Sequence, residues 1–289
     1  MSIRESELIL NTDGSVYHLN LKPENIAQDI IFVGDQDRVE KVTKHFDSIE
    51  FKTQKREFKT ITGFYKNKRI TVISTGIGPD NIDIVLNELD ALVNIDIEAR
   101  TPKSKLTKLN IVRIGTSGAL QSEIPINSFL ISTHALDMNG MLHSYQIDEI
   151  SNPIIENAFV KHTNWSAKKP FPIIIENNKE LELKFSSTKT YKGITATAGG
   201  FYGPQGRVLR LPVQDSELNT KINSFNYNGQ KISNLEMETS AIYGLSKLLG
   251  HNAISMNAII ANRTNEEFSE NPDKVIEDLI LYTIDRIIN

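Results

Sequence analysis

The sequence predicts an α/β fold with a central mixed twisted sheet flanked by helices, because short apolar runs alternate with helix-period segments along most of its 289 residues. Several of the runs have strand length and end in glycine, while the segments between them carry apolar residues at three- and four-residue spacing. No internal repeat and no low-complexity linker divides the chain, so one domain over 1–289 is the expected organisation.

The elements follow in order. Asp29-Ile30-Ile31-Phe32-Val33 reads as a short buried strand that stops at Gly34-Asp35, and 37–46 reads as a helix with Val39, Val42 and Phe46 on one side. Phe58–Tyr65 and 69–74 form a strand pair around the turn Lys66-Asn67-Lys68. A helix over 81–93 aligns Ile82, Val85, Leu89 and Leu92. Further strands are expected at 110–114, 128–135, 190–198 and 253–261, and further helices at 238–249 and 272–288. The stretch 152–184 is polar and contains prolines, and reads as an excursion from the core.

Composition bounds the function. A formal net charge of -4 argues against a nucleic-acid partner, since phosphate backbones need a dense basic face, so any anion bound here is expected to be small. The absence of cysteine excludes disulfides, thiolate metal sites and a cysteine nucleophile, and suits a cytoplasmic protein. The N-terminal residues lack the apolar core of a signal peptide, and no run approaches the roughly 20 apolar residues of a bilayer span, so no membrane association is expected. The six histidines show no metal-ligand spacing, and the GxGxxG, GxxxxGK[ST] and GxSxG patterns are missing, so neither a metal nor a nucleotide cofactor is anticipated.

What remains is a series of strand ends rich in glycine, small hydroxyls and arginine. Gly34-Asp35-Gln36-Asp37-Arg38 follows the first strand, where helix amides and Arg38 could meet an anion; locally an ordinary turn with Asp37 near the N-cap and Arg38 in solvent is the commoner reading of such a segment. Arg113-Ile114-Gly115-Thr116-Ser117-Gly118 puts an arginine on an apolar strand, where burial demands a partner: a phosphate, or a structural carboxylate. Gly199-Gly200-Phe201-Tyr202-Gly203-Pro204-Gln205-Gly206-Arg207 offers an aromatic face, an amide and a guanidinium suited to a planar heterocycle, although glycine and proline alone also predict a surface turn. Ser233-Asn234-Leu235-Glu236 fits a capping box at a helix start and Glu238 suits the positive helix end, while both glutamates of Asn234-Leu235-Glu236-Met237-Glu238-Thr239 are also available to a ligand.

Taken together these segments resemble the nucleoside phosphorylase family, most closely its uridine phosphorylase branch. The matching blocks are Tyr17-His18-Leu19, GDQDRV at 34–39, KREF at 55–58, STGIG at 74–78, RIGTSGA at 113–119, FYGPQGR at 201–207, NLEMET at 234–239 and ANRT at 261–264. The resemblance implies a phosphate-dependent pentosyltransferase that cleaves uridine to uracil and ribose 1-phosphate in nucleoside salvage, with inorganic phosphate as co-substrate and no other cofactor. It places Gly34, Arg38, Arg113 and Thr116 around phosphate, with Arg56 reaching in from a neighbouring subunit. His18 would likewise cross over to the ribose 5′-hydroxyl, Met237 and Glu238 would hold the ribose, and Phe201, Gln205 and Arg207 would hold uracil. Arg113, Gln205, Arg207 and Glu238 are thus the expected catalytic residues. A homo-oligomer is implied, at least a dimer and in some relatives a hexamer.

No acid stands at the end of the late strand before Glu266, where purine-specific relatives carry one, which favours a pyrimidine. Phosphorolysis of deoxyuridine, thymidine or a purine nucleoside, or nucleoside binding without turnover, are the alternatives. The sequence departs from the family pattern at Pro79-Asp80-Asn81 and at Gly203-Pro204.

Overall fold

A computed structural model of the chain describes residues 2–288. Its strands are β1 (Asp29–Val33), β2 (Ser48–Lys55), β3 (Phe58–Tyr65), β4 (Lys68–Ser74), β5 (Ile95–Asp96), β6 (Thr101–Pro102), β7 (Asn110–Ala119), β8 (Phe129–Asp137), β9 (Ile173–Glu176), β10 (Thr190–Thr197), β11 (Asn226–Tyr227), β12 (Gln230–Glu236), β13 (Asn252–Asn262) and β14 (Glu267–Phe268). Its helices are α1 (Gln36–Thr43), α2 (Pro79–Asn94), α3 (Pro153–Thr163), α4 (Lys179–Phe185), α5 (Leu218–Ser224), α6 (Thr239–Leu249) and α7 (Pro272–Ile288).

The main sheet runs β11-β12-β10-β8-β13-β7-β1-β4-β3-β2, with β14 added to β13 and β9 added to β8. β1 is parallel to both β4 and β7, and β7 is parallel to β13, so these four strands end at one edge. The far end of β7 also pairs with β12, Gly118 opposite Leu235 and Ala119 opposite Asn234. That contact closes β7, β13, β8, β10 and β12 into a ring.

Alternation along β1 shows how the layers form. Ile30 and Phe32 face a core shared with α2 and α6, while Ile31 and Val33 face one shared with α1 and α7. All five residues of β1 are buried, the pattern of a central strand covered on both faces. α1 starts where the sequence places a turn: the Asp35 carboxylate caps it by accepting from the Asp37 amide at 3.0 Å. α7 buries Val275, Ile276, Leu279, Ile280, Thr283, Ile284 and Ile287 at helical spacing.

The expected mixed sheet and flanking helices are present, and two readings need correction. First, 152–184 is not an excursion. It supplies α3, β9 and the first turns of α4; β9 pairs antiparallel with β8, and Ile155, Phe159 and Ile174 join a core with Ile194 and Ile232. Its polar composition belongs to the outer helix faces, and a four-residue strand is too short to carry a visible period. Second, β7 runs on to Ala119, because pairing with β12 and β13 holds it extended through Gly115 and Gly118.

Phe159 tests the first correction. Its ring is fully buried, 5.3 Å from Phe225 and 5.6 Å from Trp165. Phe159→Ala is expected to destabilise the fold by about 3–5 kcal/mol in urea titration; a loss below about 1 kcal/mol is what a surface excursion would give.

Candidate active site

A cavity of about 1000 Å³ opens at the shared strand edge, a volume suited to a small-molecule ligand. It draws together segments far apart in sequence. Gly34 and Arg38 line it from the end of β1 and the start of α1, and Arg113 and Thr116 from β7. Met237 and Glu238 line it from the junction of β12 and α6; Phe201, Gln205 and Arg207 line it from the loop after β10.

The centre of the cavity is a charge cluster. Arg113 is 7% exposed and its guanidinium is held on two sides. Nη2 donates to Glu238 Oε2 at 2.6 Å and lies 3.2 Å from Glu236 Oε2; Nη1 donates to Asn257 Oδ1 at 3.0 Å. Burial alone would lower the pKa of this group, but the two carboxylates more than offset it and keep the cation. The side chain folds back over its own strand: a Cβ on Gly115 would lie 1.8 Å from Nη1 and 2.4 Å from Cζ. Any Cβ there would require the guanidinium to move from this position.

The two glutamates divide differently from the capping box. Ser233 sits inside β12 and caps nothing, because the strand continues to Glu236. Glu236 does the capping itself, accepting from the Glu238 amide at 2.9 Å, from the Thr239 amide at 2.9 Å and from Thr239 Oγ1 at 2.8 Å. Burial pushes its carboxyl pKa up, while Arg113 pulls against that shift. Glu238 instead receives the Gly78 amide at 3.0 Å on Oε1 and Arg113 on Oε2, with its carboxylate at the cavity wall.

At another end, an amide sits between two guanidiniums. Gln205 Oε1 accepts from Arg207 Nη1 at 2.7 Å and from Arg263 Nη2 at 2.8 Å, and the Arg207 guanidinium stands 3.7 Å over the Phe201 ring. Burial and the neighbouring Arg207 lower the Arg263 pKa to about 10, which still leaves a cation at neutral pH. The acidic residues lining the cavity, Asp35, Glu57, Glu236 and Glu238, belong to the β1–α1 turn, the β2–β3 turn and the β12–α6 junction. Arg263 is a cavity residue that sequence reasoning left without a role, although ANRT is among the matching blocks. Its place depends on contact with Gln205, 58 positions away, which no local pattern encodes.

His18 and Arg56 stand apart from this cavity in their own chain. His18 Nδ1 lies 2.7 Å from Glu88 Oε1 on α2, and Arg56 is exposed in the turn between β2 and β3. Arg38 is half-buried, with Nη1 3.4 Å from the Ile114 carbonyl, so the solvated alternative does not describe it.

Comparison with known proteins places this arrangement in context. Residues 28–288 match the model of the Phosphorylase superfamily. The chain is 30% identical over 268 residues to a uridine phosphorylase of Thermococcus kodakarensis, covering 91% of this chain and 83% of that protein. It is 29% identical over 265 residues to a uridine phosphorylase of Haemophilus influenzae, covering 87% and 88%. The solved structure of a Trypanosoma brucei nucleoside phosphorylase with uridine phosphorylase activity superposes with a TM-score of 0.85 at 28% identity, over 95% of this chain and 98% of that one.

The Gly115 contact yields a prediction about stability. Gly115→Ala should force the guanidinium off its carboxylates and leave buried charges uncompensated, a loss of about 3–5 kcal/mol. Thermal unfolding checks this, and a melting temperature within about 2 °C of wild type is the contrary result.

Proposed function

Because the chain belongs to the phosphorylase superfamily, we propose that this cavity catalyses phosphate-dependent cleavage of uridine to uracil and ribose 1-phosphate. One observation carries the choice of base: Arg207 and Arg263 converge on Gln205, and the cavity's acids belong to other segments. Two cations near a departing pyrimidine stabilise negative charge spreading onto its carbonyls. A leaving purine that is protonated as it departs calls for an acid there instead.

In this reading phosphate is the nucleophile. One of its oxygens bonds to the anomeric carbon as the N-glycosidic bond breaks, and the bond's electron pair leaves with the base, which takes up the proton that the hydrogen phosphate gives up. The transition state is oxocarbenium-like, so the enzyme supplies alignment and electrostatics without a covalent intermediate. Gly34, Arg38, Arg113 and Thr116 hold phosphate; Glu238 anchors the ribose hydroxyls with Met237 packed beside them; Phe201 packs on uracil while Gln205 and Arg207 bind its polar edge. The co-substrate is inorganic phosphate, and the reaction draws on no other cofactor.

The charge count also bears on assembly. Arg38 and Arg113 face Glu236 and Glu238, so the phosphate end is close to neutral before the dianion arrives. A third cation from outside the chain would tip the balance. We assign that role to Arg56 of a second copy, with His18 crossing in the same way to the ribose 5′-hydroxyl. The working enzyme is therefore at least a dimer, with a hexamer as the larger form open to it. The cytoplasm, where nucleosides are salvaged, is the compartment this reading assigns, in keeping with a chain free of cysteine.

Release of the free base from uridine, deoxyuridine, thymidine and inosine, each with and without phosphate, tests the reading. Phosphate-dependent release from uridine is expected, and its absence across a range of pH rejects the proposal. In the same assay Arg113→Ala should reduce kcat/KM at least about 100-fold. Gln205→Ala should raise KM for uridine well above any change in KM for phosphate. Equal losses on both substrates would contradict the division of the cavity.

A further inference from the structure

The closed ring of strands carries a belt of polar side chains in its interior, and the belt starts at the arginine of the cavity. Arg113 on β7 donates from Nη1 to Asn257 Oδ1 on β13 at 3.0 Å. Asn257 Nδ2 donates to Ser132 Oγ on β8 at 3.3 Å, and Ser132 Oγ is hydrogen-bonded to Thr195 Oγ1 on β10. Thr195 Oγ1 donates to Asn234 Oδ1 on β12 at 2.7 Å, and Asn234 Nδ2 donates at 2.8 Å to Ser117 Oγ, back on β7. Asn257, Ser132, Thr195 and Asn234 are fully buried, whereas Arg113 and Ser117, the two ends of the belt, line the cavity.

The chemistry of the ends fixes the direction of each bond. A guanidinium has donors only, so the Asn257 atom facing Nη1 is the carbonyl oxygen, and the amide nitrogen faces Ser132 Oγ and Ser255 Oγ, at 3.3 and 3.4 Å. Thr195 uses its single proton on Asn234, so Ser132 donates to Thr195. Asn257 therefore has one amide orientation, with its acceptor on Arg113. The carboxylates of Glu238 and Glu236 hold only the other nitrogen, Nη2, at 2.6 and 3.2 Å. A planar group held at one nitrogen can pivot about that contact, and an acceptor on the second nitrogen fixes its plane. Ser255 Oγ, 3.5 Å from Nη1, is too distant to do this by itself. The acceptor that does it is neutral. A third carboxylate in its place would hold the plane equally well and remove a unit of positive charge from an end already close to neutral.

We infer that Asn257 is a positioning residue for Arg113: it fixes the guanidinium plane through a neutral acceptor, so that the arginine is aimed at the anion with its charge undiminished. The inference rests on the phosphate role proposed above for Arg113 and deepens it. No substrate contact is assigned to Asn257, which the ring covers completely.

The test measures KM for phosphate at saturating uridine in wild type, Asn257→Ala, Asn257→Asp and Ser132→Ala, with KM for uridine at saturating phosphate and melting temperature alongside. Asn257→Ala is expected to raise KM for phosphate about 5–10-fold, the size of one lost hydrogen bond, with KM for uridine within about 2-fold of wild type. Asn257→Asp keeps an acceptor of the same shape and adds a charge, so it should raise KM for phosphate at least about 10-fold; it carries the test if Asn257→Ala does not fold. Ser132→Ala breaks the next hydrogen bond of the belt without touching Arg113, so it should lower the melting temperature while KM for phosphate stays within about 2-fold. A purely structural role for the belt would not produce that split. Four results overturn the inference: an unchanged KM for phosphate in Asn257→Ala, equal rises in both its KM values, an Asn257→Asp that binds phosphate as wild type does, or a Ser132→Ala that matches Asn257→Ala in KM for phosphate. A wild type that releases no uracil refutes the broader reading, and the dissociation constant of inorganic phosphate, measured by calorimetry on the same four proteins, then carries the comparison. An active wild type with a silent Asn257→Ala refutes the role of Asn257 alone.

Discussion

A buried arginine held between two buried carboxylates governs the geometry of the cavity. Arg113 projects from β7, its carboxylates come from the end of β12, and its other contacts, Ser255 and Asn257, come from β13. These three strands meet only because the sheet closes on itself. The dependence runs both ways. A slip of β7 against β13 by one residue would turn Arg113 to the opposite face, stranding a cation on one side and two carboxylates on the other. Strand register and charge balance are therefore one constraint, and Gly115 is where the backbone yields space to satisfy it.

That constraint gives the cavity an uneven field. Around Arg113 charge is nearly cancelled: Arg113 is already bound to Glu238, and Glu238 already accepts the Gly78 amide, so in the proposed reaction an incoming phosphate dianion would have to be met by sharing. In the proposed reaction, sugar hydroxyls donating to Glu238 would relieve the arginine's charge toward phosphate, so that each substrate improves the site for the other. Around Gln205 charge is not cancelled. Two guanidiniums fixed on one amide oxygen form donors whose orientation is settled before the base leaves, and such preorganisation is worth more than flexible solvent.

Much of this fold was legible in the sequence where apolar residues dominate. β1 and β3 fall where their runs place them, and α7 spans 272–288 as its period indicates, since burial on one or both faces writes itself into the pattern. β2 was not legible because it is an edge strand with alternate residues exposed and few large apolar side chains. β12 was missed because its buried polar residues Ser233, Asn234 and Glu236 look like loop and cap residues until their partners across the ring are known. The site divides in the same way. Strand-end blocks such as RIGTSGA and NLEMET were readable as candidates from residue type, and their convergence on one cavity was not. Arg263 and Glu236 as a partner of Arg113 depend on contacts between residues 58 and 123 positions apart, respectively.

The turn between β2 and β3 carries the remaining argument about assembly. It has two residues, Arg56 and Glu57, and the first has a φ of +56°. A positive φ at the first position of a two-residue hairpin turn normally selects glycine, because a Cβ is strained there. This turn keeps an arginine in that position, exposed, with its carbonyl accepting from Gln36 Nε2 at 3.0 Å, while Glu57 faces the cavity of its own chain. Local stability does not explain a strained, solvent-facing arginine where glycine would fold more easily. In the proposed dimer, a second copy of the chain, whose proposed phosphate end lacks net positive charge, would give that side chain a use that its own fold does not.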